Sequence, residues 1–248
     1  MKVKKFLSLV LLLPVTATGV RAGSFSVNRE KSISVSVGAD IVSTYVWRGT
    51  YQTGASIQPY LSFDVAGLSL GVWGNSSFAG LVQAPKEVDL SLFYSIKGFS
   101  AGLTDYWWTG EGNAYFSAWK EATGKTGNCH YLEASVGYDF GECCSFPLTI
   151  GWNTMVYCPF DKNGSDKQRF STYIDLDYGF SIKGVDCGVG LGITPWEGIY
   201  ADKFNVMDVS LMAAKTFTIG RNFDTTLSVE AIFSPANDDI FLVFGLSF

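Results

Sequence analysis

The chain has 248 residues, and its 18 basic and 23 acidic side chains give a formal net charge of −5 at neutral pH. An acidic protein is a poor partner for nucleic acid, so nucleic-acid binding is not expected. Hydrophobic residues make up 47% of the chain and aromatic residues 15%, yet no run after residue 22 is apolar over the roughly 20 positions that a membrane-spanning helix needs. The apolar residues must follow another pattern.

The first residues have the pattern of a secretory signal peptide. Three lysines within the first five residues precede an apolar run at residues 6–15, and small residues at positions 20 and 22 suit a signal peptidase. The apolar run is too short to span a bilayer as a helix. We therefore expect residues 1–22 to be cleaved. Residues 23–248 should form a single exported domain, because no linker-like segment divides them.

Apolar and polar residues alternate along the rest of the chain, and a period of two predicts β-strands. The first alternating segment runs from Ile33 to Arg48 and places Ile33, Val35 and Val37 on one face. The same alternation recurs in residues 57–65, 68–73, 88–96, 99–103, 132–140, 146–152, 170–180, 185–193, 207–217, 223–233 and 240–248. Twelve strands are predicted.

The connections between these strands alternate between short and long. The short ones are residues 66–67, 97–98, 141–145, 183–184 and 220–222. The long ones are residues 49–54, 75–85, 107–128, 159–166, 196–202 and 234–238. Transmembrane barrels have an even number of strands, short periplasmic turns and longer extracellular loops. The pattern predicts an all-β transmembrane antiparallel up-and-down β-barrel of twelve strands. A secreted β-sandwich is the alternative, but it does not require this alternation.

The strand ends and the C-terminus favour insertion into a lipid membrane. Aromatic residues on the apolar face gather at both ends of the strands, as in the two girdles of a membrane barrel. Tyr45, Trp47, Phe170 and Phe233 are assigned to the girdle at the long-loop end. The last strand alternates to a terminal Phe248, which resembles the signal read by the barrel assembly machinery. We therefore expect an integral protein of the cell outer membrane in contact with its lipids.

The polar face of the predicted strands is rich in carboxylates. The pore-lining candidates are Arg48, Asp40, Asp64, Asp89, Glu133, Asp175, Asp177, Asp208 and Glu230. Rings of carboxylates select cations, so the pattern indicates passive diffusion of small solutes or ions with a cation preference. The same carboxylates also fix strand register, because a slip of one residue would expose them to hydrocarbon. The two roles are compatible.

Arg48 stands out as a base among acids at the outer end of the first strand. It could narrow the pore or serve as a selectivity element or, more simply, tie that strand to a neighbour through an ion pair. Twelve strands lie between the filled and the open barrel sizes, so a closed barrel is the alternative to a channel. Such a barrel would be a scaffold or bind partners through its outer loops. The long connection at residues 107–128 contains five aromatic residues. It could fold inward as a plug or constriction, or stay exposed as a sugar-binding or adhesive loop.

Catalysis, metal binding and a cofactor are not expected. His130 is the single histidine, and Ser135 falls on the opposite strand parity, so the two are not paired locally. Cys129 and His130 lack a second ligand couple at zinc spacing. Cys129 and Cys158 fall at the outer ends of adjacent strands and are the candidate disulfide, although their parities differ and a bulge would be needed.

Three further cysteines have no predicted partner on another strand. Cys143 and Cys144 share a turn and are either free or joined to each other. Cys187 falls among valines on the apolar face and behaves there as a small apolar residue. Because the total of five is odd, at least one cysteine is unpaired.

One part of the chain resembles a known family. Residues 43–49 are Ser-Thr-Tyr-Val-Trp-Arg-Gly and residues 71–74 are Gly-Val-Trp-Gly, with Gln52 and Gln58 between them. This segment is similar to the opening of the TorF-type porin family of bacterial outer-membrane proteins, and a following Glu-x-Asp at residues 87–89 fits its next strand. The match covers residues 37–94. The resemblance implies a porin-like barrel and no active-site residues.

Overall fold

A computed structural model describes residues 33–78, 86–108, 130–158, 161, 167–220 and 223–248. The strands are β1 Ile33–Val42, β2 Tyr45–Trp47, β3 Thr50–Thr53, β4 Ser56–Val65, β5 Leu68–Ser77, β6 Lys86–Ile96, β7 Phe99–Trp108, β8 His130–Asp139, β9 Leu148–Tyr157, β10 Thr172–Ile182, β11 Val185–Thr194, β12 Asn205–Ile219, β13 Phe223–Ser234 and β14 Asp239–Ser247. A short helix, α1, covers Gly141–Cys144. In this part of the chain, no helix is long and apolar enough to cross a bilayer. The expected signal peptide lies outside the described residues.

Twelve of the strands close into one antiparallel barrel. Each wall strand pairs with its neighbours along the chain, and β1 completes the circle by pairing with both β4 and β14. The predicted all-β architecture of twelve up-and-down strands is confirmed. Because a single closed sheet forms the wall, the two-sheet sandwich is excluded. The two remaining strands, β2 and β3, form a separate two-stranded sheet.

The alternating pattern turns apolar side chains outward. Ile33, Val35 and Val37 are 65%, 64% and 79% exposed, whereas the polar residues between them are half-buried. The same outward apolar face continues around the sheet to Ile240 and Leu242 on β14, which are 67% and 56% exposed. Soluble proteins rarely expose so large a continuous apolar surface. The barrel is thus apolar on the outside and polar within.

Three of the predicted short connections are two-residue hairpin turns of one type. Each has a non-glycine residue followed by glycine, both at positive φ, as a type I′ turn requires. The pairs are Ala66-Gly67, Lys97-Gly98 and Lys183-Gly184. The connection between β8 and β9 is α1, and it ends where Ser145 takes a left-handed φ of 57°. All four lie at the end of the barrel opposite the long connections.

The first strand departs from its prediction. It ends at Val42, after which the chain bends and folds back as the β2–β3 hairpin, with Arg48 and Gly49 at its tip at φ 50° and 72°. Tyr45 and Trp47 are only 2% and 7% exposed, so their assignment to the outer aromatic girdle is wrong. The alternation of apolar and polar residues continues unbroken to Arg48, so it does not reveal that the strand ends earlier. The polar and aromatic interior of the barrel can bury the rings of Tyr45 and Trp47 as well as lipid can.

The seam that closes the barrel depends on the C-terminal residue. β1 and β14 share only three paired positions, at residues 40–42 and 245–247. Phe248 extends the seam, because its backbone N–H donates to the carbonyl of Ala39 at 3.1 Å and its carbonyl accepts from the N–H of Ala39 at 2.9 Å. At the other end, the backbone N–H of Ser43 donates to the carbonyl of Phe244 at 2.9 Å. Beyond Ser43 the chain leaves the wall.

Candidate functional site in the barrel lumen

The tip of the β2–β3 hairpin is fixed against the connection between β13 and β14. The side-chain amide of Asn237 donates to the carbonyl of Gly49 at 2.9 Å and to the hydroxyls of Thr50 and Ser234 at 3.2 and 3.0 Å. A Cβ at Gly49 would lie 2.9 Å from Oγ of Ser234 and closer still to a backbone carbonyl. The φ of 72° also favours glycine. The tip of the hairpin is therefore held by close packing and by the side-chain amide of Asn237.

Arg48 carries a bidentate ion pair at this tip. Its Nη1 and Nη2 lie 2.7 and 2.9 Å from the two carboxylate oxygens of Glu133 on β8, and the hydroxyl of Tyr106 donates to Oε2 of Glu133 at 2.8 Å. Arg48 is 4% exposed and Glu133 is fully buried. A left-handed φ costs a non-glycine residue about 1–2 kcal/mol. Arg48 therefore has this strained backbone in the conformation that pairs its side chain with Glu133.

Aromatic rings surround the guanidinium group. The carbon Cζ of Arg48 lies 4.7 Å from the ring centre of Trp47, 4.5 Å from that of Tyr173 and 5.2 Å from that of Tyr200. Arg48 also donates a hydrogen bond to the hydroxyl of Tyr200. Burial is the largest influence on the pKa of Arg48 and lowers it, but Glu133, Tyr200 and Tyr106 together raise it further, so the net shift is upward. The guanidinium therefore stays charged, held by ion-pair and cation–π contacts.

A loop clamp brings Tyr200 to this position. Tyr200 lies in the connection between β11 and β12, where the backbone N–H of Ile199 donates to Oγ of Ser171 at 2.7 Å. Ser171 in turn donates its hydroxyl and its backbone N–H to the two carboxylate oxygens of Asp161, at 2.5 and 2.8 Å. Asp161 and Ser171 are fully buried. Two outer connections are thus tied together beside the phenol that meets Arg48.

Large side chains fill the lumen around the hairpin. Trp47 packs against Tyr106 and Trp108 with ring centres 5.8 and 5.7 Å apart, and Tyr106 stacks on Trp108 with an interplanar angle of 9°. On the other side of the hairpin, Tyr45 meets Trp73 at 5.5 Å. Tyr106 is fully buried. The long-loop half of the lumen is packed by aromatic contacts of the kind found in protein cores.

The carboxylates predicted from strand parity all lie on the inner face of the wall, but with different burial. The buried ones are Asp40, Asp89, Glu133 and Asp175, and the half-buried ones are Asp64, Asp177, Asp208 and Glu230. Asp208 accepts a hydrogen bond from the hydroxyl of Tyr173 at 2.9 Å, and Asp175 accepts one from the amide of Asn153 at 2.7 Å. Their common inner face leaves the lumen acidic.

The interpretation of Arg48 needs one correction. The ion pair exists, but Arg48 is on the hairpin rather than on β1, and its partner Glu133 is on β8 rather than on a strand next to β1. The prediction that Arg48 ties the first strand to a neighbour is wrong. The reason is the early end of β1, which lets the chain carry Arg48 into the lumen and across it.

Sequence reasoning missed several residues that contact Arg48 and the hairpin. Tyr106 and Tyr173 share the inward parity of their strands and could have been found by extending the list from carboxylates to aromatic residues. Tyr200 and Asn237 lie in connections, where alternation gives no signal. Only the folded barrel brings these two loops to the hairpin tip.

The remaining candidates lie apart from the hairpin or outside the described residues. Cys129 and most of the aromatic loop at residues 107–128 belong to the undescribed part, whereas Cys158 is fully buried after β9. Nδ1 of His130 lies 2.9 Å from each carboxylate oxygen of Asp105. Within the described ranges, no group of three or more His, Cys, Asp or Glu residues is arranged to hold a metal ion.

The fold and the lumen define a class: a closed twelve-stranded antiparallel β-barrel with an inward-folded hairpin between β1 and β4. No family model matches the chain, and no curated protein matches it in sequence.

Proposed function

We propose that this protein is an integral outer-membrane channel for small solutes, porin-like and cation-preferring, which the β2–β3 hairpin closes at its long-loop end. One observation carries the proposal. The lumen is lined by carboxylates, and it is blocked by an element that is not part of the wall, since β2 and β3 pair with each other in a sheet of their own. A hairpin of this kind can leave the lumen while the barrel stays closed.

The outer surface supports the membrane location. Apolar side chains such as Val37, Leu70 and Phe244, which are 79%, 53% and 56% exposed, would face lipid rather than water. The short turns would face the periplasm and the long connections the cell exterior. The resemblance to TorF-type porins over residues 37–94 is in keeping with this assignment.

The hairpin contacts explain how closure and ion preference would be linked. Arg48 is the base that the hairpin brings into an acidic lumen, and it neutralises Glu133. When the hairpin leaves, the positive charge leaves with it and the carboxylate of Glu133 returns to water. Rings of carboxylates without opposing bases favour cations. Opening should therefore increase the cation preference of the path.

A second candidate is a closed barrel that acts as a scaffold or binds partners through its outer loops. The packing of the long-loop half favours it, because Tyr106, Glu133 and Met155 are fully buried there. The two candidates differ in one property. A channel with a movable hairpin conducts when the hairpin is loosened, whereas a scaffold does not.

Planar-bilayer recording of the purified barrel tests the channel. We expect rare conductance steps from the wild-type protein and more frequent ones from Arg48→Ala, with a reversal potential in a salt gradient that reports cation preference. Lys215→Ala is a matched control, since Lys215 is an exposed base on the outer face of β12 and contacts Phe217 rather than the hairpin. Absence of steps from folded wild-type and Arg48→Ala barrels would support the scaffold and contradict the channel.

A further inference from the structure

A pair of neighbouring thiols lies at the short-turn end of the barrel, far from the hairpin. Cys143 and Cys144 are the last two residues of α1, which joins β8 to β9, and both are exposed. Their sulfur atoms are 3.3 Å apart. Both thiols also point at the same backbone carbonyl, that of Phe140, at 3.5 and 3.2 Å from Cys143 and Cys144. The two sulfurs therefore share one side of a single turn.

The other described cysteines are out of reach of this pair. Cys158 follows the far end of β9, and a ten-residue strand spans about 33 Å. Cys187 lies on β11, and β10 separates that strand from β9. Among the described residues, each turn thiol therefore has the other as its nearest possible disulfide partner.

A disulfide between adjacent residues has unusual properties. Consecutive Cα atoms lie about 3.8 Å apart, whereas disulfide-bonded residues usually have Cα atoms about 4.4–6.8 Å apart. The small ring is strained, and strained, exposed disulfides are the easily reduced ones. A mixed disulfide on one of the two sulfurs would not persist either, because the second thiol lies in contact and can displace the attached group. The pair is suited to cycling rather than to a permanent cross-link.

We propose that Cys143 and Cys144 form a reversible dithiol–disulfide site that exchanges with disulfides of small thiol compounds or exported proteins. One thiolate attacks a sulfur of the external disulfide, which releases one thiol and forms a mixed disulfide. The second thiolate attacks the protein sulfur, closes the Cys143–Cys144 ring and releases the second thiol. Two protons and two electrons pass from the pair to the external disulfide, which is reduced to two thiols. Excess external thiol runs the sequence backward.

The site is independent of the proposed channel. It is separated from Arg48 by the length of the barrel, and its chemistry needs neither conductance nor a membrane. A measurement of the intact mass therefore tests this site whether or not the barrel conducts ions. The exposed turn also makes substitution there safe for folding, since no residue of α1 is buried.

The test uses the full barrel with Cys129, Cys158 and Cys187 replaced by serine, so that only the pair remains. After incubation with glutathione disulfide, we expect the intact mass to show a loss of two hydrogen atoms and no bound glutathione. Excess glutathione should reverse that change. Adding Cys143→Ser or Cys144→Ser should leave one glutathione attached. If the triple-serine barrel does not fold, the peptide containing residues 141–145 from oxidised wild-type protein gives the same measurement.

Two outcomes would overturn the proposal. The first is a stable mixed disulfide, with one or two glutathiones held at equilibrium while both cysteines are present. The second is a pair that does not react with glutathione disulfide although the single-cysteine variants do. Either would show that the two thiols act separately or not at all.

Discussion

Arg48 and Glu133 form a fully buried, bidentate ion pair across 85 residues of sequence, and four wall strands separate β1, from which the hairpin extends, from β8, which carries the carboxylate. The pair therefore joins the β2–β3 hairpin to a distant part of the wall. Breaking a buried pair by removing one partner typically costs about 3–5 kcal/mol when the other charge stays buried. In the channel proposed above, removing Arg48 lets the hairpin withdraw and water reach Glu133, so part of this cost would appear as a shift toward the open state.

A double-mutant cycle measures this coupling. We expect Arg48→Ala and Glu133→Ala each to destabilise the barrel, and the double variant to cost less than their sum by at least about 1 kcal/mol, as residues in contact usually do. Urea unfolding in lipid or detergent, followed by tryptophan fluorescence, gives the three free energies. Strict additivity within about 0.5 kcal/mol would mean that the pair does not hold the hairpin.

Gly49→Ala should loosen the hairpin more than a matched glycine substitution elsewhere. Gly49 and Gly184 have similar φ, 72° and 76°, but an added Cβ meets the Ser234 hydroxyl at Gly49 and nothing within 4 Å at Gly184. Both substitutions should lower the free energy of unfolding by about 1–2 kcal/mol, because alanine disfavours the left-handed backbone. The excess cost at Gly49, measured by unfolding, reports the clash. If the two substitutions lower the free energy of unfolding equally, the tip of the hairpin is not closely packed.

Ser171→Ala should act through Tyr200. The substitution removes the hydroxyl that links Ile199 to Asp161, so the loop carrying Tyr200 should lose its position beside Arg48. We expect Ser171→Ala to raise the frequency of open steps in the same direction as Tyr200→Phe. Ser181→Ala, at the exposed far end of β10, the strand that follows Ser171, is the control and should leave the frequency unchanged. If the Ser171→Ala barrel opens no more often than the control, the loop clamp does not help to hold the hairpin.

Deleting Phe248 should weaken the seam more than changing its side chain. The deletion removes both backbone hydrogen bonds to Ala39, whereas Phe248→Ala keeps them and loses only the ring. We expect slower refolding and a lower unfolding free energy for the deletion in purified lipid, where no assembly machinery is present. If the two variants refold alike, the seam does not depend on these backbone bonds, and the importance of Phe248 lies in its ring alone.

Much of the wall could be predicted from sequence because period-two alternation and X-Gly turns are local signals. Strands from β4 to β14 fall close to their predicted positions, and the carboxylates fall on the predicted inner face. The hairpin could not be predicted, because the alternation passes through Ser43 without a break. The partner of Arg48 could not be predicted from the sequence either. The pore-lining candidates included eight carboxylates, and only closure of the barrel brings Glu133 to the tip.

Under the proposed function, the β2–β3 hairpin is a movable closure of a conducting barrel. Thr50 and Asn237 provide the most direct test, because their side chains approach to 3.2 Å across the hairpin tip. A Thr50→Cys/Asn237→Cys barrel, with its native cysteines replaced by serine and with Arg48→Ala added to loosen the hairpin, should be silent in a planar bilayer when oxidised. After addition of dithiothreitol it should show cation-selective steps. Equal conductance before and after reduction, or none in either state from a folded barrel, would contradict the claim.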